Sequence, residues 1–363
     1  MFNLGFCLTL LLNIIFNILR QYKSEGKNMG DLYIQKSDYH LSLSNDRVII
    51  KDNEKNVIKE VSLSLIENIL VFGKAQLTTQ LLAASANNRI NVFYFSGYGK
   101  FLSVLDSGRE ADYEKQEKQA LSSFNQEFCL EIAKRIASAK IRNQLNLLKA
   151  FDEEHILDSK DFEQFQEAIL GISTAKNIPE IMGFEGRIAK SYFYLLNFLL
   201  TDDFRFYERS KRPSKDRFNA LLNFGYSILH SCFIGMIRKN GLSLGFGVIH
   251  RPHQHHSVLA SDLMEEWRPV IVDDTIMSLI KNEEIRAEHF EEGDEEEVVL
   301  TAEGIEIFSK AMRSRVLEIH QYIEFDKKRY SFLYMADQQI KSLIRCFETE
   351  NHEEFLSGYT TGE

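Results

Sequence analysis

Four side chains in the second half of the sequence are of types that bind divalent metal ions: Glu185, His250, Asp262 and Glu265. Carboxylates are hard ligands that suit Mg²⁺ or Mn²⁺, and one imidazole shifts the preference towards Mn²⁺. The spacing is not a strong metal signature of the HExxH kind, so the residues alone leave an ordinary charged surface as an alternative.

The spacing of Asp262 and Glu265 is the clearest local pattern in this group. Residues three apart lie on one face of a helix. The opposite face carries an apolar stripe that would pack into the core: Ala260, Met264, Trp267 and Ile271. We therefore expect a helix with one buried face and one acidic face, reached through a glycine-rich approach that delivers His250.

Glu185 lies between Gly183 and Gly186, at the predicted start of an apolar helical run. A lone glutamate near a helix start is ordinary, because it complements the helix dipole. A capping role is therefore the simplest interpretation of this residue by itself.

A basic segment, residues 205–217, lies between these elements. Its cations outnumber Glu208 and Asp216 and are interleaved with aromatic residues; they are Arg205, Arg209, Lys211, Arg212, Lys215 and Arg217. Such a patch suits contact with backbone phosphates and some base stacking. A charged surface loop between helices is an equally good interpretation.

Two other polar clusters are assigned no catalytic role. His253, His255 and His256 follow Pro252 in a polar setting that indicates an exposed loop. Residues 283–297 are dominated by Asp and Glu, which is typical of a solvated surface. We expect the like charges of residues 283–297 to repel DNA, so these residues should lie away from any nucleic-acid path.

The elements that must position these residues predict an α+β fold. Residues 29–107 alternate short runs rich in Val, Ile, Phe and Tyr with turns, interrupted by one helix at 75–87, which predicts a small β-domain. Residues 108–363 have helical patterns with almost no strand signal, which predicts a larger all-α domain. A chain of 363 residues is long enough for two such domains.

Charge and cysteine content set only loose limits. The net charge of −10 excludes a uniformly basic surface but leaves room for a local basic groove. The four cysteines lie far apart without a CxxC pair, which excludes a zinc knuckle and fits a reducing cytoplasm.

The N-terminal extension, residues 1–28, contains an apolar run over residues 2–19 with no preceding Lys or Arg. That charge pattern is not typical of a signal peptide. A membrane anchor is one interpretation; the favoured one is that Met29 is the true start.

Several blocks together resemble the CRISPR-associated spacer integrase family: FEGRIAKSYF, RPSKDRFNALLNFGYSIL, GFGVIH and SDLMEEWRPVIVD. The order of the blocks also agrees. The family is resembled as well by LYIQKSDYHLSLSNDRVIIKD near the start, KIRNQLNLL around Lys140 and DQQIKSLIRCF near Asp337, so the match spans Met29 to the C-terminus. The resemblance implies an N-terminal β-domain, a helical catalytic domain and a homodimer. It also implies a small dimeric partner protein and double-stranded DNA from a captured fragment and the CRISPR array.

By resemblance, the metal ligands fall on Glu185, His250 and Glu265, with Asp262 as a supporting acid. The implied reaction joins the 3′-hydroxyl of a captured fragment to the array by transesterification with Mg²⁺ or Mn²⁺. Tyr226 lies in the block beside the site, where packing or phosphate contact is expected. A metal-dependent nuclease acting on branched or single-stranded nucleic acid, and a catalytically silent DNA-binding scaffold, are the alternatives; the intact metal-ligand residues argue against the scaffold.

Overall fold

A computed structural model describes residues 30–34, 38–88, 90–95, 101–105, 113–211, 213–251, 256–293, 297–322 and 329–359. The chain divides into two compact units, Met1–Ala111 and Asp112–Glu363. The apolar run at residues 2–19 lies outside the described residues.

The first unit contains two four-stranded sheets. Their strands are β1 Gly30–Ile34, β2 His40–Ser44, β3 Arg47–Lys51, β4 Val57–Ser62, β5 Ile66–Phe72, β6 Gln76–Leu77, β7 Asn91–Phe95 and β8 Phe101–Leu105. One sheet has the order β1-β5-β7-β8, with β1, β5 and β7 parallel and β8 antiparallel. The other has the order β4-β3-β2-β6, in which only the β2–β6 pair is parallel.

One helix, α1 at Thr79–Asn87, accompanies these sheets. It begins where Thr78 caps it by accepting a hydrogen bond from the Leu81 amide at 3.4 Å. Buried aliphatic residues from strands and helix share one core, including Ile69 and Val92 at the centre. The β-rich character predicted for this part of the chain is confirmed.

The second unit is mainly helical. Its helices are α2 Tyr113–Phe124, α3 Gln126–Phe151, α4 Ser159–Thr174, α5 Ile178–Phe198, α6 Arg217–Lys239, α7 Val258–Met264, α8 Asp274–Lys281, α9 Ala302–Leu317 and α10 Phe332–Thr349. Helix α3 packs against α4 and α5, and α7 packs against α6.

The predicted helical character of this unit is confirmed, and the structure adds two short strand pairs that the sequence did not indicate. Strands β9 Phe290–Glu292 and β10 Val298–Leu300 form one antiparallel pair, and β11 Ile319–His320 with β12 Tyr330–Ser331 forms another. Strands of two or three residues are too short to produce a readable alternation of apolar and polar residues. The first pair lies within and directly after the acidic run.

Helix α6 is the single described helix that is long and apolar enough to cross a membrane, and two-thirds of its most apolar stretch is buried inside the protein. Phe218, Leu222 and Phe233 are fully enclosed. This pattern is that of a helix at the centre of a folded domain.

Candidate active site

Glu185 lies well inside helix α5. The helix begins at Ile178, with Asn177 as its cap accepting from the Glu180 amide at 3.0 Å. Glu185 therefore stands about two turns after the start, and the capping interpretation is wrong because Pro179 and Asn177 begin the helix earlier than the glycines suggested. Its side chain is about one-quarter exposed.

Helix α7 supplies Asp262, and Glu265 follows directly at its C-terminal end. The predicted apolar stripe is buried, including Trp267 and Ile271. The predicted acidic face is buried too: Asp262 is 0% exposed and Glu265 is 8% exposed. Packing surrounds this helix on every side, so its carboxylates have to be satisfied by partners inside the protein.

Asp262 is satisfied by the glycine-rich loop before α7. Its Oδ2 accepts from the amides of Val248 at 2.7 Å and Ile249 at 2.9 Å. Its Oδ1 lies 2.6 Å from Nδ1 of His250 and accepts from the His250 amide at 3.3 Å. Four contacts use the accepting capacity of this carboxylate, and they leave Nε2 of His250 as the nitrogen available to a ligand.

Gly247 is required by this close approach. A Cβ atom at this position would overlap both Oδ2 of Asp262 and the Val258 side chain. The glycine therefore lets the loop backbone reach the carboxylate.

Lys140 on helix α3 joins Glu185 to Glu265. Its Nζ donates to Oε1 of Glu185 in a very short contact and to Oε2 of Glu265 at 2.7 Å. The Lys140 side chain is only 10% exposed. Two carboxylates from different helices thus share one enclosed cation.

The electrostatics of this cluster favour charged groups in spite of burial. Burial pulls the pKa of Lys140 down, but the charges of Glu265 and Glu185 outweigh it and leave that pKa raised. Burial likewise raises the pKa of Glu265, but Lys140 and Arg268 outweigh it and leave that pKa lowered. The hydrogen bond with Asp262 raises the pKa of His250, and the charges of Glu265 and Glu185 act in the same direction.

Arg268 holds the second oxygen of Glu265. Its guanidinium nitrogen lies 2.9 Å from Oε1 of Glu265, and its central carbon stands 4.8 Å from the ring centre of Tyr226. The Tyr226 hydroxyl donates to Asp273 at 2.7 Å, and Tyr192 donates to the same carboxylate at 2.8 Å. Tyr226 therefore packs against Arg268 and is anchored by Asp273.

The C-terminal tail is bound beside the same helix through Glu266. Oε1 of Glu266 accepts from the Gly358 amide at 2.7 Å and from the Gln339 side chain in a very short contact. Asn143 on α3 donates to the carbonyls of Glu266 at 2.8 Å and Gly358 at 3.1 Å. Burial raises the pKa of Glu266 well above its usual value.

The donor set fits a divalent ion. No group of three His, Cys, Asp or Glu side chains in the described ranges is arranged to hold a metal as it stands. However, Lys140 already occupies a cation position between Glu185 and Glu265, and His250 is oriented as metal-binding histidines usually are, by a carboxylate on its other nitrogen. The metal-site assignment itself stays a prediction.

The basic segment is more mixed than its sequence suggests. Arg209 is held inside the protein by Asn219 at 2.7 Å and Asn223 at 2.8 Å, and burial lowers its pKa. Arg217 donates to the Asp203 carbonyl at 2.8 Å. Exposed positions remain at Arg205, Lys211 and Lys215, so the DNA-contact prediction stays open for them; Arg212 lies outside the described residues.

The acidic run lies beside this segment. Arg205, Lys215 and Arg217 line a shallow cleft of about 350 Å³ together with Glu291 and Glu292. The basic segment was expected to contact DNA and the acidic run was expected to lie away from it. These two expectations conflict, because both segments line the same cleft.

Of the three loop histidines, only His256 is described; His253 and His255 lie outside the described residues. Nε2 of His256 lies 3.0 Å from the Ser261 hydroxyl.

Sequence reasoning did not assign Lys140 a role, although a signal was present. Lys140, Asn143 and Gln144 interrupt the apolar face of α3 at helical spacing, and all three are buried. A polar cluster on an otherwise buried face indicates partners inside the protein.

Comparison with known proteins points to one family. Residues 32–314 match the family model described as CRISPR associated protein Cas1. A CRISPR-associated endonuclease Cas1 of Mycobacterium tuberculosis is 30% identical over 321 residues, covering 88% of this chain and 94% of that protein.

Solved structures share the fold. A Cas1 protein from Thermotoga maritima superposes with a TM-score of 0.68 at 22% identity, covering 88% of this chain and 97% of that one. A casposase bound to integration product gives a TM-score of 0.64 at 21% identity, covering 89% of this chain and 96% of the other.

Proposed function

This chain belongs to the Cas1 family of CRISPR-associated proteins, and we propose that Glu185, His250 and Glu265 form the metal centre with which it joins DNA. It is a DNA endonuclease and integrase of CRISPR adaptation. The observation that best supports the site is the convergence of Glu185 and Glu265, from separate helices, on one enclosed cation.

Glu265 is the proposed direct ligand and Asp262 the positioning acid. Asp262 already accepts four hydrogen bonds from the loop at residues 248–250, so metal binding would cost it those bonds. Glu265 instead directs its two oxygens at side-chain cations, Lys140 and Arg268. A metal ion can replace a cation there without disturbing the loop.

The metal, proposed to be Mg²⁺ or Mn²⁺, would polarise the phosphoryl oxygen and stabilise the charge that builds up during transesterification. Glu185, Glu265 and Nε2 of His250 would hold it. Lys140 and Arg268 outweigh the effect of burial on Glu265 and hold its pKa below the usual value.

The proposed substrates are the 3′-hydroxyl ends of a captured DNA fragment and the CRISPR array. We also propose that the protein works as a homodimer with a small dimeric partner. Support for a partner protein comes from a structure of the same fold, a Cas6-RT-Cas1–Cas2 complex, which superposes with a TM-score of 0.71 at 22% identity, covering 92% of this chain and 36% of that one. Exposed Arg205, Lys211 and Lys215 remain the proposed phosphate contacts of the basic segment.

A branched DNA that mimics a half-integrated fragment tests this proposal. We expect the purified protein with Mn²⁺ or Mg²⁺ to release the branch and reseal the target strand. Glu185→Gln should abolish this, while Glu167→Gln, an exposed glutamate of the neighbouring helix α4, should retain it. Equal activity of both variants would contradict the assignment.

A hydrolytic nuclease acting through the same metal centre is the second candidate. Water would then replace the 3′-hydroxyl as nucleophile, and the enclosed carboxylates serve both reactions equally. Product analysis separates them, because hydrolysis releases the branch without resealing the strand.

A further inference from the structure

Glu265 lies in a short link between two helical segments. Helix α7 ends at Met264, and a π-helical segment occupies Arg268–Asp273. The backbone hydrogen bonds of Glu265 are long: its amide donates to the Asp262 carbonyl at 3.4 Å, and its carbonyl accepts from the Arg268 amide at 3.4 Å. Ordinary N–H···O hydrogen bonds measure about 2.7 to 3.2 Å. The helical backbone therefore holds this candidate metal ligand weakly, and other contacts have to fix its position.

Asn143 on helix α3 supplies such a contact. It is buried, and its side-chain nitrogen donates to the Glu266 carbonyl at 2.8 Å and to the Gly358 carbonyl at 3.1 Å. Both hydrogens of the side-chain amide are used in this way. Gly358 in turn donates its backbone amide to Oε1 of Glu266 at 2.7 Å. Asn143, Glu266 and Gly358 thus form a closed ring of buried hydrogen bonds, the Asn143 junction, directly after Glu265 in the chain.

One face of helix α3 holds both the side chain and the backbone of the link. Lys140 and Asn143 are three residues apart, which places them on the same face. Nζ of Lys140 donates to Oε2 of Glu265 at 2.7 Å, and Asn143 binds the carbonyl of the next residue. Because Lys140 also contacts Glu185, helix α3 sets the position of one candidate carboxylate ligand relative to the other.

The Asn143 junction has no simple replacement. Without the side-chain amide, the carbonyls of Glu266 and Gly358 would lose a buried donor, so the link would move or admit water. A metal centre requires its ligands to be held within about 0.5 Å of the productive geometry. A small shift of Glu266 would therefore displace Glu265 enough to weaken metal binding.

We propose that Asn143 is a positioning residue of the metal centre, which fixes the backbone beside Glu265 through the Glu266 carbonyl. The inference rests on the proposed function, since it takes Glu265 as a metal ligand. It assigns Asn143 no contact with the metal or with DNA.

The test compares Mn²⁺ affinity, measured by isothermal titration of the full-length protein, with the melting temperature of the metal-free protein. Asn143→Leu removes the amide at similar volume. Asn143→Ser leaves room for a water molecule between the carbonyls and provides a milder variant if the leucine variant does not fold. Asn240→Leu is the matched control, because Asn240 also donates to two oxygens, the Met236 carbonyl at 2.9 Å and the Asp337 carboxylate at 3.1 Å, which lie outside the Asn143 junction.

We expect Asn143→Leu to bind Mn²⁺ about 10-fold more weakly than the wild type, since loss of a group that orients a ligand typically costs about 10- to 100-fold in affinity. Asn143→Ser should lose less, because a bridging water can replace part of the contact. Asn240→Leu should lower the melting temperature without changing Mn²⁺ affinity. Strand joining by Asn143→Leu should recover at saturating Mn²⁺, and its DNA affinity without metal should equal that of the wild type.

Wild-type Mn²⁺ affinity in the folded Asn143 variants, or an equal loss in Asn240→Leu, would overturn the proposal. A fall in metal-free DNA affinity confined to the Asn143 variants would also overturn it, since Asn143 would then act on DNA. Glu185→Gln separates this failure from failure of the proposed function. If Glu185→Gln loses Mn²⁺ and the Asn143 variants retain it, only the role of Asn143 falls. If the wild type binds no Mn²⁺, both fall.

Discussion

Nδ1 of His250 lies 2.6 Å from Oδ1 of Asp262, and the same carboxylate accepts three backbone amides from the loop that carries the histidine. One buried side chain therefore fixes both the position of the loop and the orientation of the imidazole. The two carboxylate oxygens of Glu265, one turn later, instead contact Lys140 and Arg268. Substitution of Asp262 should therefore disturb the loop and the imidazole, whereas substitution of Glu265 should remove a contact with cations.

We expect Glu265→Gln to abolish Mn²⁺ binding, because it removes a direct ligand. Asp262→Asn keeps the shape but cannot accept all four hydrogen bonds, so it should weaken Mn²⁺ affinity by about 10- to 100-fold. Isothermal titration with Mn²⁺ measures both effects. A greater loss in Asp262→Asn than in Glu265→Gln would reverse the two assignments.

Lys140→Met tests the shared cation. The change leaves Glu185 and Glu265 without the cation they share, so the metal-free protein should lose roughly 3 kcal/mol of stability, the lower end for a broken buried ion pair. Mn²⁺ should then raise the melting temperature of Lys140→Met more than that of the wild type, because the ion replaces the missing charge.

Lys149→Met is the matched control, since Lys149 is an exposed lysine of the same helix. Its melting temperature and its response to Mn²⁺ should follow the wild type. A Lys140→Met protein that Mn²⁺ stabilises no more than the control would rule out a metal position between the two glutamates.

The strands and the long helices could be predicted because their apolar spacing is regular over enough residues. The strand runs around Val48 and Val92 and the helix containing Phe218 are of this kind. The stripe through Trp267 was predicted for the same reason. The burial of Asp262 on the opposite side of the helix was not predicted. Apolar spacing indicates which face of a helix packs into the core, but it does not indicate whether the polar face is also covered by another element.

The candidate site was predicted mainly from the resemblance to sequence blocks of the family and less from the chemistry of neighbouring residues. Local sequence does not identify distant partners: the polar interruption at Lys140 indicates a partner inside the protein without pointing to Glu265, and Gly358 gives no signal for Glu266. A lysine on a helix is ordinarily exposed, and a glycine near a chain end is ordinarily a loop residue. Only the folded chain brings them to α7.

Asp273 gives a pH dependence of stability. Burial raises its pKa to about 6, with Tyr226 and Tyr192 partly opposing the shift. The folded state then binds a proton more tightly than the unfolded chain, whose aspartates titrate near 3.9. The stabilisation is present below pH ~4 and is lost as pH rises through about 6, amounting to about 3 kcal/mol at most.

Asp273→Asn should flatten that part of the profile, because the amide does not titrate. Urea unfolding from pH ~4 to ~7 measures it, and the difference between wild type and variant isolates Asp273 from other buried acids such as Glu266. Asp202→Asn, at an almost fully exposed position, is the control and should keep the wild-type slope. The same slope in all three proteins would contradict the shifted pKa.

Gly358 should be intolerant of any side chain. A Cβ atom there would overlap the indole ring of Trp267, which is fully buried, and Gly358 also donates its amide to Glu266. Gly358→Ala must therefore push the tail away from α7 or strain the core, at a cost of about 1 to 3 kcal/mol. Trp267 is the one tryptophan in the sequence, so its fluorescence reports this contact without interference. We expect a red-shifted emission and a lower melting temperature.

Gly186→Ala is the control: a Cβ atom there meets nothing within 4 Å, and alanine favours the helix, so stability should be equal or slightly higher. Wild-type emission and melting in Gly358→Ala would show that the tail does not depend on this close contact.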